Sequence, residues 1–188
     1  MHAVLPGIRA KNALLIAASL VFYAYGEPVY VFLLIGSCFV NYLGACLVDR
    51  FPRQKKFLIT LVVLGNLGVL IVFKYLGFLA GLFHSLTGIQ ISVPDIRMPI
   101  GISFFTFQAM SYVIDVYRGT TKAQKNFGKV LLYISFFPQL IAGPIVKYHD
   151  IAKEIDERKQ TLDESCLGLR RFTAGLCKKV LIANTMGL

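Results

Sequence analysis

The chain has 188 residues, of which 56% are hydrophobic and only 16% charged, and its formal net charge is +10. This composition excludes an ordinary water-soluble domain and indicates that the lipid bilayer is the solvent. The positive charge does not indicate nucleic-acid binding, because the basic residues lie between apolar runs and few aromatic side chains are interleaved with them.

Three uncharged apolar runs come first, at residues 12–26, 28–48 and 57–73. A helix needs about 20 apolar residues to span the hydrocarbon layer, and the second run meets that requirement alone. The sequence Gly-Glu-Pro at residues 26–28 predicts a tight turn that joins the first two runs into a helical hairpin. The helical pattern of the third run extends to His84, because the single cation within it, Lys74, can snorkel or pair.

The connections between the runs predict which ends face the cytoplasm. Residues 49–56 carry four basic residues against one acid, and residues 118–129 carry four basic residues and no acid. Short loops rich in lysine and arginine stay on the cytoplasmic side. The polar residues 85–97, which alternate as a short strand or surface loop does, therefore lie on the outer side.

Two further uncharged runs, residues 98–114 and 130–146, contain helix-disturbing and polar residues. Non-helical backbone at membrane depth is tolerated only where protein or a wet cavity satisfies its freed N–H and C=O groups. These runs therefore predict the walls of a polar passage. Their two glutamines must find hydrogen-bond partners, because an unsatisfied amide in an apolar run costs several kcal/mol. Hydrogen bonding between neighbouring helices is the alternative use of these glutamines. The candidate path residues are Gln108, Asp115, Arg118, Pro138, Gln139, Gly143 and Pro144.

Residues 130–146 either cross the membrane or enter it and return. A full crossing places the four cations of residues 170–179 outside, against the positive-inside bias. A return at the breaks made by Pro138 and by Gly143 and Pro144 keeps those cations in the cytoplasm. The charges favour the re-entrant alternative.

Asp115 is an ionisable residue in an apolar run and therefore a functional candidate. It precedes Arg118 by three residues, so the two side chains can pair along one helix face. Because Asp115 lies close to the predicted inner boundary, a plain interfacial ion pair is the simpler interpretation.

Residues 161–164, Thr-Leu-Asp-Glu, match a capping box and predict the start of a helix. Beyond it, apolar residues recur at spacings of three, four and seven, while Arg171 and Lys178 share another face. The pattern predicts an amphipathic helix at the inner interface, its basic face toward anionic head groups. A helix packed on another part of the protein has the same pattern, and both interpretations can hold together.

The four cysteines, Cys38, Cys46, Cys166 and Cys177, show no C-x-x-C spacing, and two of them lie in an apolar run. We expect small core side chains rather than zinc ligands or disulfides, and we predict no metal site. The chain also contains no P-loop, dinucleotide fingerprint or metalloprotease motif.

A family resemblance is carried by two segments, PIGISFFTFQAMSYVIDVYRG and FFPQLIAGPI. They resemble the membrane-bound O-acyltransferase family, and within it the bacterial alginate O-acetyltransferase membrane subunits. The resemblance extends through ASLVFYAYGEPVYV, Phe73-Lys74-Tyr75 and Lys178-Lys179-Val180, so it covers nearly the whole chain. With the patterns above it predicts an all-α, polytopic membrane protein of the cell membrane. The expected fold has a re-entrant or broken helix pair and an amphipathic C-terminal helix.

The resemblance implies transfer of an acyl group, above all acetyl, to hydroxyls of an exported or cell-surface polysaccharide. The implied donor is acetyl-CoA or another cytoplasmic thioester, with no cofactor bound. The implied partners are the bilayer, the polysaccharide acceptor and extracytoplasmic polysaccharide-modifying proteins.

The family's general base is a histidine, often within Trp-His-Gly. None of His2, His84 and His149 matches that context, and the chain has no tryptophan. We therefore expect no catalytic residue in this chain, and we expect residues 1–188 to be the N-terminal part of a larger transmembrane domain.

Two rival functions are consistent with the same residues. A transporter or flippase also has broken helices and buried amides along its substrate path, and it would carry a second, internally related half. A catalytically dead remnant of the acyltransferase is suggested by the absent histidine motif.

Overall fold

The computed structural model describes residues 7–88, 94, 96–141, 143–158 and 161–186. Every regular element within these residues is helical, which confirms the predicted all-α class. The chain divides into two compact units, Met1–Ile155 and Asp156–Leu188, and each is described by itself. The alternating part of the predicted outer loop, residues 89–93, lies outside the described residues.

The helices of the first unit follow the apolar runs. They are α1 (Ile8–Gly26), α2 (Tyr30–Arg50), α3 (Lys55–Leu70), α4 (Leu76–Thr87), α5 (Ile102–Arg118), α6 (Phe127–Ser135), α7 (Phe137–Leu140) and α8 (Tyr148–Glu157). A 3-10 turn, Pro52–Gln54, precedes α3, and a π-helical turn, Ile71–Tyr75, joins α3 to α4. The third run is therefore helical beyond Lys74, as its pattern predicts.

Two helical stretches of the described residues are long and apolar enough to cross a membrane. One is α2, with 21 residues and a mean hydropathy of 2.1, and the other is Pro52–Thr87, with 36 residues and a mean hydropathy of 2.3. At 1.5 Å per residue the second stretch is about 54 Å long, whereas the hydrocarbon layer is about 30 Å thick. Part of it must therefore extend beyond one membrane face if it spans.

The core of the first unit forms around α5 and α6. Helix α2 packs against both of them, α3 packs on α5, and α1 packs on α6. Helix α6 buries six consecutive side chains, residues 130–135, because neighbouring helices surround it. This arrangement places the polar residues of α5 against the backbone of α6.

The second unit is one helical path, made of α9 (Leu162–Cys177), a π-helical turn (Lys178–Ala183) and α10 (Asn184–Met186). The predicted capping box is confirmed. The N–H of Glu164 donates to Thr161 Oγ1 at 3.2 Å, and the N–H of Thr161 donates to Glu164 Oε2 at 3.1 Å. Every described side chain of this path is exposed.

Candidate functional site

The break between α6 and α7 sets the geometry of the site. Helix α6 ends at Ser135 because Phe136 adopts φ −56° and ψ 113°, and Pro138 has no N–H with which to continue the ladder. The N–H of Phe137 donates instead to Ser19 Oγ of α1 at 3.2 Å. The carbonyl of Tyr133, which would accept from Phe137 in an unbroken helix, accepts from Gln108 Nε2 of α5 at 2.8 Å.

The two glutamines meet at this break. Gln139 Nε2 lies 3.3 Å from Gln108 Oε1 and donates to the carbonyl of Pro144 at 2.8 Å. An amide in an apolar environment costs several kcal/mol if it finds no partner. The prediction that both glutamines are partnered is confirmed, and the partners are mainly backbone carbonyls of the broken segment.

Gly143 allows the chain to turn tightly over Gln139. Its N–H donates to the Gln139 carbonyl at 2.9 Å. A Cβ at residue 143 would lie 2.6 Å from Gln139 Cα and 2.8 Å from the Gln139 carbonyl oxygen, so only glycine fits. Gly101, at the start of α5, has φ +78° and would place a Cβ 3.2 Å from the carbonyl oxygen of Leu140. The turn therefore packs directly against the beginning of α5.

After the turn, the chain returns alongside α6. Tyr133 donates its hydroxyl proton to the carbonyl of Val146 at 2.6 Å. The ring of Tyr148 lies 5.3 Å from that of Tyr133, and its hydroxyl accepts from Gln124 Nε2 at 2.9 Å. Because Gln124 precedes α6, the chain leaves and re-approaches the same end of the unit. Residues 130–146 therefore do not form one continuous helix but fold back on themselves. The re-entrant path through a membrane, which the charge pattern favoured, stays a prediction.

Asp115 and Arg118 do not form the predicted ion pair. Asp115 is buried at 7% exposure, whereas the Arg118 side chain is exposed. Asp115 Oδ2 lies 3.9 Å from Nδ1 of His149, whose Nε2 is 3.1 Å from Asp150 Oδ1. The local spacing was misleading because the returning chain brings α8 to the end of α5. Neither residue contacts the glutamine pair in any hydrogen bond of the described part.

Three side chains of the α1–α2 hairpin hold the backbone that leads into α5, and sequence reasoning missed them. Glu27, only 3% exposed, accepts from the N–H of Ile100 at 3.3 Å and lies 3.7 Å from Arg97 Nη2. Tyr23 donates to the carbonyl of Ile100 at 3.0 Å, and Tyr30 donates to that of Arg97 at 2.7 Å. The signal available in the sequence was a carboxylate placed between two apolar runs.

A second buried amide pair, also missed, joins α2 to α3. Asn41 and Asn66 each donate to the other's side-chain oxygen at 2.9 Å. Each also donates to the carbonyl four residues earlier in its own helix. They were missed although the criterion that singled out Gln108 and Gln139, an amide side chain within an uncharged apolar run, applies equally to these asparagines.

The chemistry available at the glutamine pair is hydrogen bonding and orientation. Amides neither take up nor release protons at neutral pH. In the part of the chain that the structure describes, no histidine, cysteine or serine side chain bonds the two side-chain amides, and the Ser111 hydroxyl donates only to the backbone carbonyl of Gln108. A half-open groove of about 370 Å³ lies elsewhere, along the π-helical turn. It is lined by Val72, Phe73, Lys74, Leu76, Gly77, Pro94 and Ile96, none of which is a candidate path residue. The passage itself stays a prediction.

Comparison with known proteins shows which sequences the chain is similar to. No family model matches the chain, and no solved structure matches it. The chain is 37% identical over 98% of its length to a probable alginate O-acetylase AlgI of Pseudomonas syringae, and 38% identical over 97% to that of Pseudomonas aeruginosa. It is 32% identical over 93% of its length to a peptidoglycan O-acetyltransferase of Helicobacter pylori. It spans 37%, 36% and 40% of these relatives, respectively.

The expected resemblance is confirmed: over nearly all of its own length the chain is similar to members of the membrane-bound O-acyltransferase family. Within that family, its similarity is to the alginate O-acetylases over nearly all of its own length. The two long apolar helices, taken with these relatives, indicate a membrane protein.

Proposed function

We propose that the intact protein is a multi-pass O-acyltransferase of the cell membrane. It moves an acetyl group from a thioester donor, acetyl-CoA or another acyl thioester, to hydroxyls of an exported or cell-surface polysaccharide. The observation that supports this most strongly is the similarity, over 98% of the chain, to a relative named as an alginate O-acetylase. The peptidoglycan relative supports acetyl transfer to a glycan hydroxyl without fixing which glycan.

The proposed reaction breaks the C–S bond of the thioester and forms a C–O bond to the sugar. The hydroxyl proton passes through a general base to the departing thiolate, so no oxidant or reductant is needed. Because the thioester is already an activated acyl donor, positioning and proton removal supply most of the catalysis. By resemblance the base is the family's histidine, which no residue of this chain matches.

In the proposed enzyme, the role of residues 1–188 is to shape the membrane passage on the donor side. In this topology the basic loops at residues 49–56 and 118–129 are cytoplasmic, and residues 130–146 enter from that side and return to it. Gln108 and Gln139 support the turn because they bond the carbonyls that the break and the turn leave without α-helical donors. Extracytoplasmic polysaccharide-modifying proteins are the proposed partners on the opposite side.

The proposal is tested with the full-length gene in cells that lack their own copy, by measuring acetyl ester per sugar in the polysaccharide. We expect Gln108→Leu/Gln139→Leu to lower the ester content by about 100-fold, because a displaced reaction path loses its alignment. Asn41→Leu/Asn66→Leu is the matched control and should retain most of it. Unchanged ester content in the glutamine variant, at normal protein level, would contradict the role proposed for this segment.

An experiment in the same cells distinguishes the acyltransferase from the rival function, a transporter or flippase. A transporter predicts that the glutamine variant reduces the amount of polysaccharide exported while acetyl ester per exported sugar stays constant. The acyltransferase predicts the reverse, with normal export and a lower ester content.

A further inference from the structure

The helical path of the second unit exposes a continuous apolar stripe. Its members are Leu162, Leu169, Phe172, Leu176 and Val180, exposed by 86%, 66%, 65%, 48% and 48%. The three leucines are seven residues apart, and the other two members lie one turn from a leucine, so all five fall on one side of the helix. Leu167, Leu181 and Ile182 are also exposed and lie outside this stripe. Exposed apolar surface that is continuous in this way marks an interaction site.

Beyond its first turn, the same helical path carries charged side chains of positive sign only. Residues 165–188 contain four cations, Arg170, Arg171, Lys178 and Lys179, and no acid. The two acids of the path, Asp163 and Glu164, are confined to the first turn, where a carboxylate is favourable. No carboxylate lies within ion-pair distance of any of the four cations among the residues that the structure describes. The complementary surface must therefore be apolar beneath the stripe and anionic beside it.

We propose that this helix lies flat on an anionic lipid surface, with the stripe at the acyl boundary and the cations among the head groups. An interfacial helix combines these two faces. A membrane-spanning orientation is disfavoured, because Arg170 and Arg171 are well inside the helix and a charge at the bilayer centre is costly. The proposal is independent of the catalytic activity proposed above.

Two native cysteines can be labelled to test where this helix lies. Cys166 and Cys177 are both exposed and lie eleven residues, or about three turns, apart on the edge of the stripe. Ala174 lies three residues after Arg171 and four before Lys178, which places it on the basic face. A cysteine at residue 174 is therefore a matched control that keeps all four cations.

The test uses the full-length protein with Cys38→Ala, Cys46→Ala and Cys166→Ser, labelled with a fluorophore at Cys177. The control protein carries Ala174→Cys and Cys177→Ser in addition. Both are reconstituted into vesicles whose lipids are brominated along the acyl chains, with either anionic or neutral head groups. We expect the acyl-chain bromines to quench the label at Cys177 several-fold more strongly than the label at residue 174, and more in anionic than in neutral vesicles.

Variants that lose one positive charge test whether charge contributes to docking of the helix. Arg171→Gln and Lys178→Gln should each lower the ratio of docked to undocked helix roughly fivefold in anionic vesicles and leave neutral vesicles unaffected. Equal quenching at both label positions would show that the helix crosses the bilayer. No quenching at Cys177 in any lipid would show that protein covers the stripe, and equal quenching in anionic and neutral vesicles would show that charge plays no part. Each of these results overturns the proposal.

Discussion

Two amide pairs lie in the first unit, one buried and one only partly buried, and they are built differently. Asn41 and Asn66 exchange two hydrogen bonds of 2.9 Å between the intact helices α2 and α3. Gln108 and Gln139 share a single contact of 3.3 Å, and their other N–H groups donate to backbone carbonyls of the folded-back segment. The asparagine pair is closed on itself, whereas the glutamine pair supports backbone that has lost its regular partners.

The two hydrogen-bond patterns indicate different structural roles for the two pairs. If both asparagines are removed, no other helix is left with an unbonded polar group, so the pair acts as a contact between helices. If both glutamines are removed, the buried carbonyl of Tyr133 and the exposed carbonyl of Pro144 lose these donors. The glutamines are therefore required by the chain reversal, and the reversal is the feature that distinguishes a passage wall from an anchor.

The largest effect is expected at the turn of the folded-back segment. Gly143→Ala places a methyl group against the backbone of Gln139, which cannot move without opening the turn. We expect a loss of about 3 kcal/mol or more in the free energy of unfolding, measured on the full-length protein in detergent. Gly81→Ala is the control, because nothing lies within 4 Å of its Cβ position and alanine favours helix by about 1 kcal/mol. Equal stability of the two variants would mean that the turn is absent.

A smaller loss is expected where α1 meets the break. Ser19→Ala removes the acceptor of the Phe137 N–H and leaves that buried donor unsatisfied. We expect a cost of about 1–3 kcal/mol in the same unfolding measurement. Ser85→Ala, which removes only a bond within exposed α4, should cost much less. If the two serines proved equivalent, the Phe137 N–H would have another partner and the break would differ from the one described.

The smallest effect is expected for the bond that holds the returning chain. Tyr133→Phe removes the hydroxyl that donates to Val146 and should cost about 1 kcal/mol. Tyr25→Phe is the control, since that side chain is 95% exposed. Hydrogen exchange of residues 145–148 should rise in the Tyr133 variant alone. Exchange unchanged from the parent protein would show that the hydroxyl does not hold this segment.

Sequence patterns predicted the features that depend on neighbours along the chain. Helical periodicity, the capping box at Thr161 and the helix break within residues 130–146 were all accessible, because each depends on residues close together in the sequence, as Pro138 and Gly143 do at the break. The requirement that Gln108 find a partner also followed from its apolar surroundings. The identity of that partner did not follow, since Tyr133 becomes available only once the helix breaks beside α5.

Features that depend on distant parts of the chain were missed or wrong. Glu27 bonds the N–H of Ile100, which is 73 residues away, so no local pattern indicates the contact. Asp115 was assigned to Arg118 on helical spacing, but the return of the chain places His149 nearer. Both outcomes arise from tertiary packing around α5.

The most direct test of the central claim is a pair of double-mutant cycles on the full-length protein, with the free energy of unfolding as the readout. Asn41→Leu and Asn66→Leu should each cost about 1–3 kcal/mol alone, and the double variant should recover most of that loss because no unpaired group remains. Gln108→Leu/Gln139→Leu should recover nothing, because the buried carbonyl of Tyr133 still lacks a donor. Recovery in the glutamine double variant, equal to that of the asparagine double variant, would contradict the claim that the glutamines support a broken, folded-back segment.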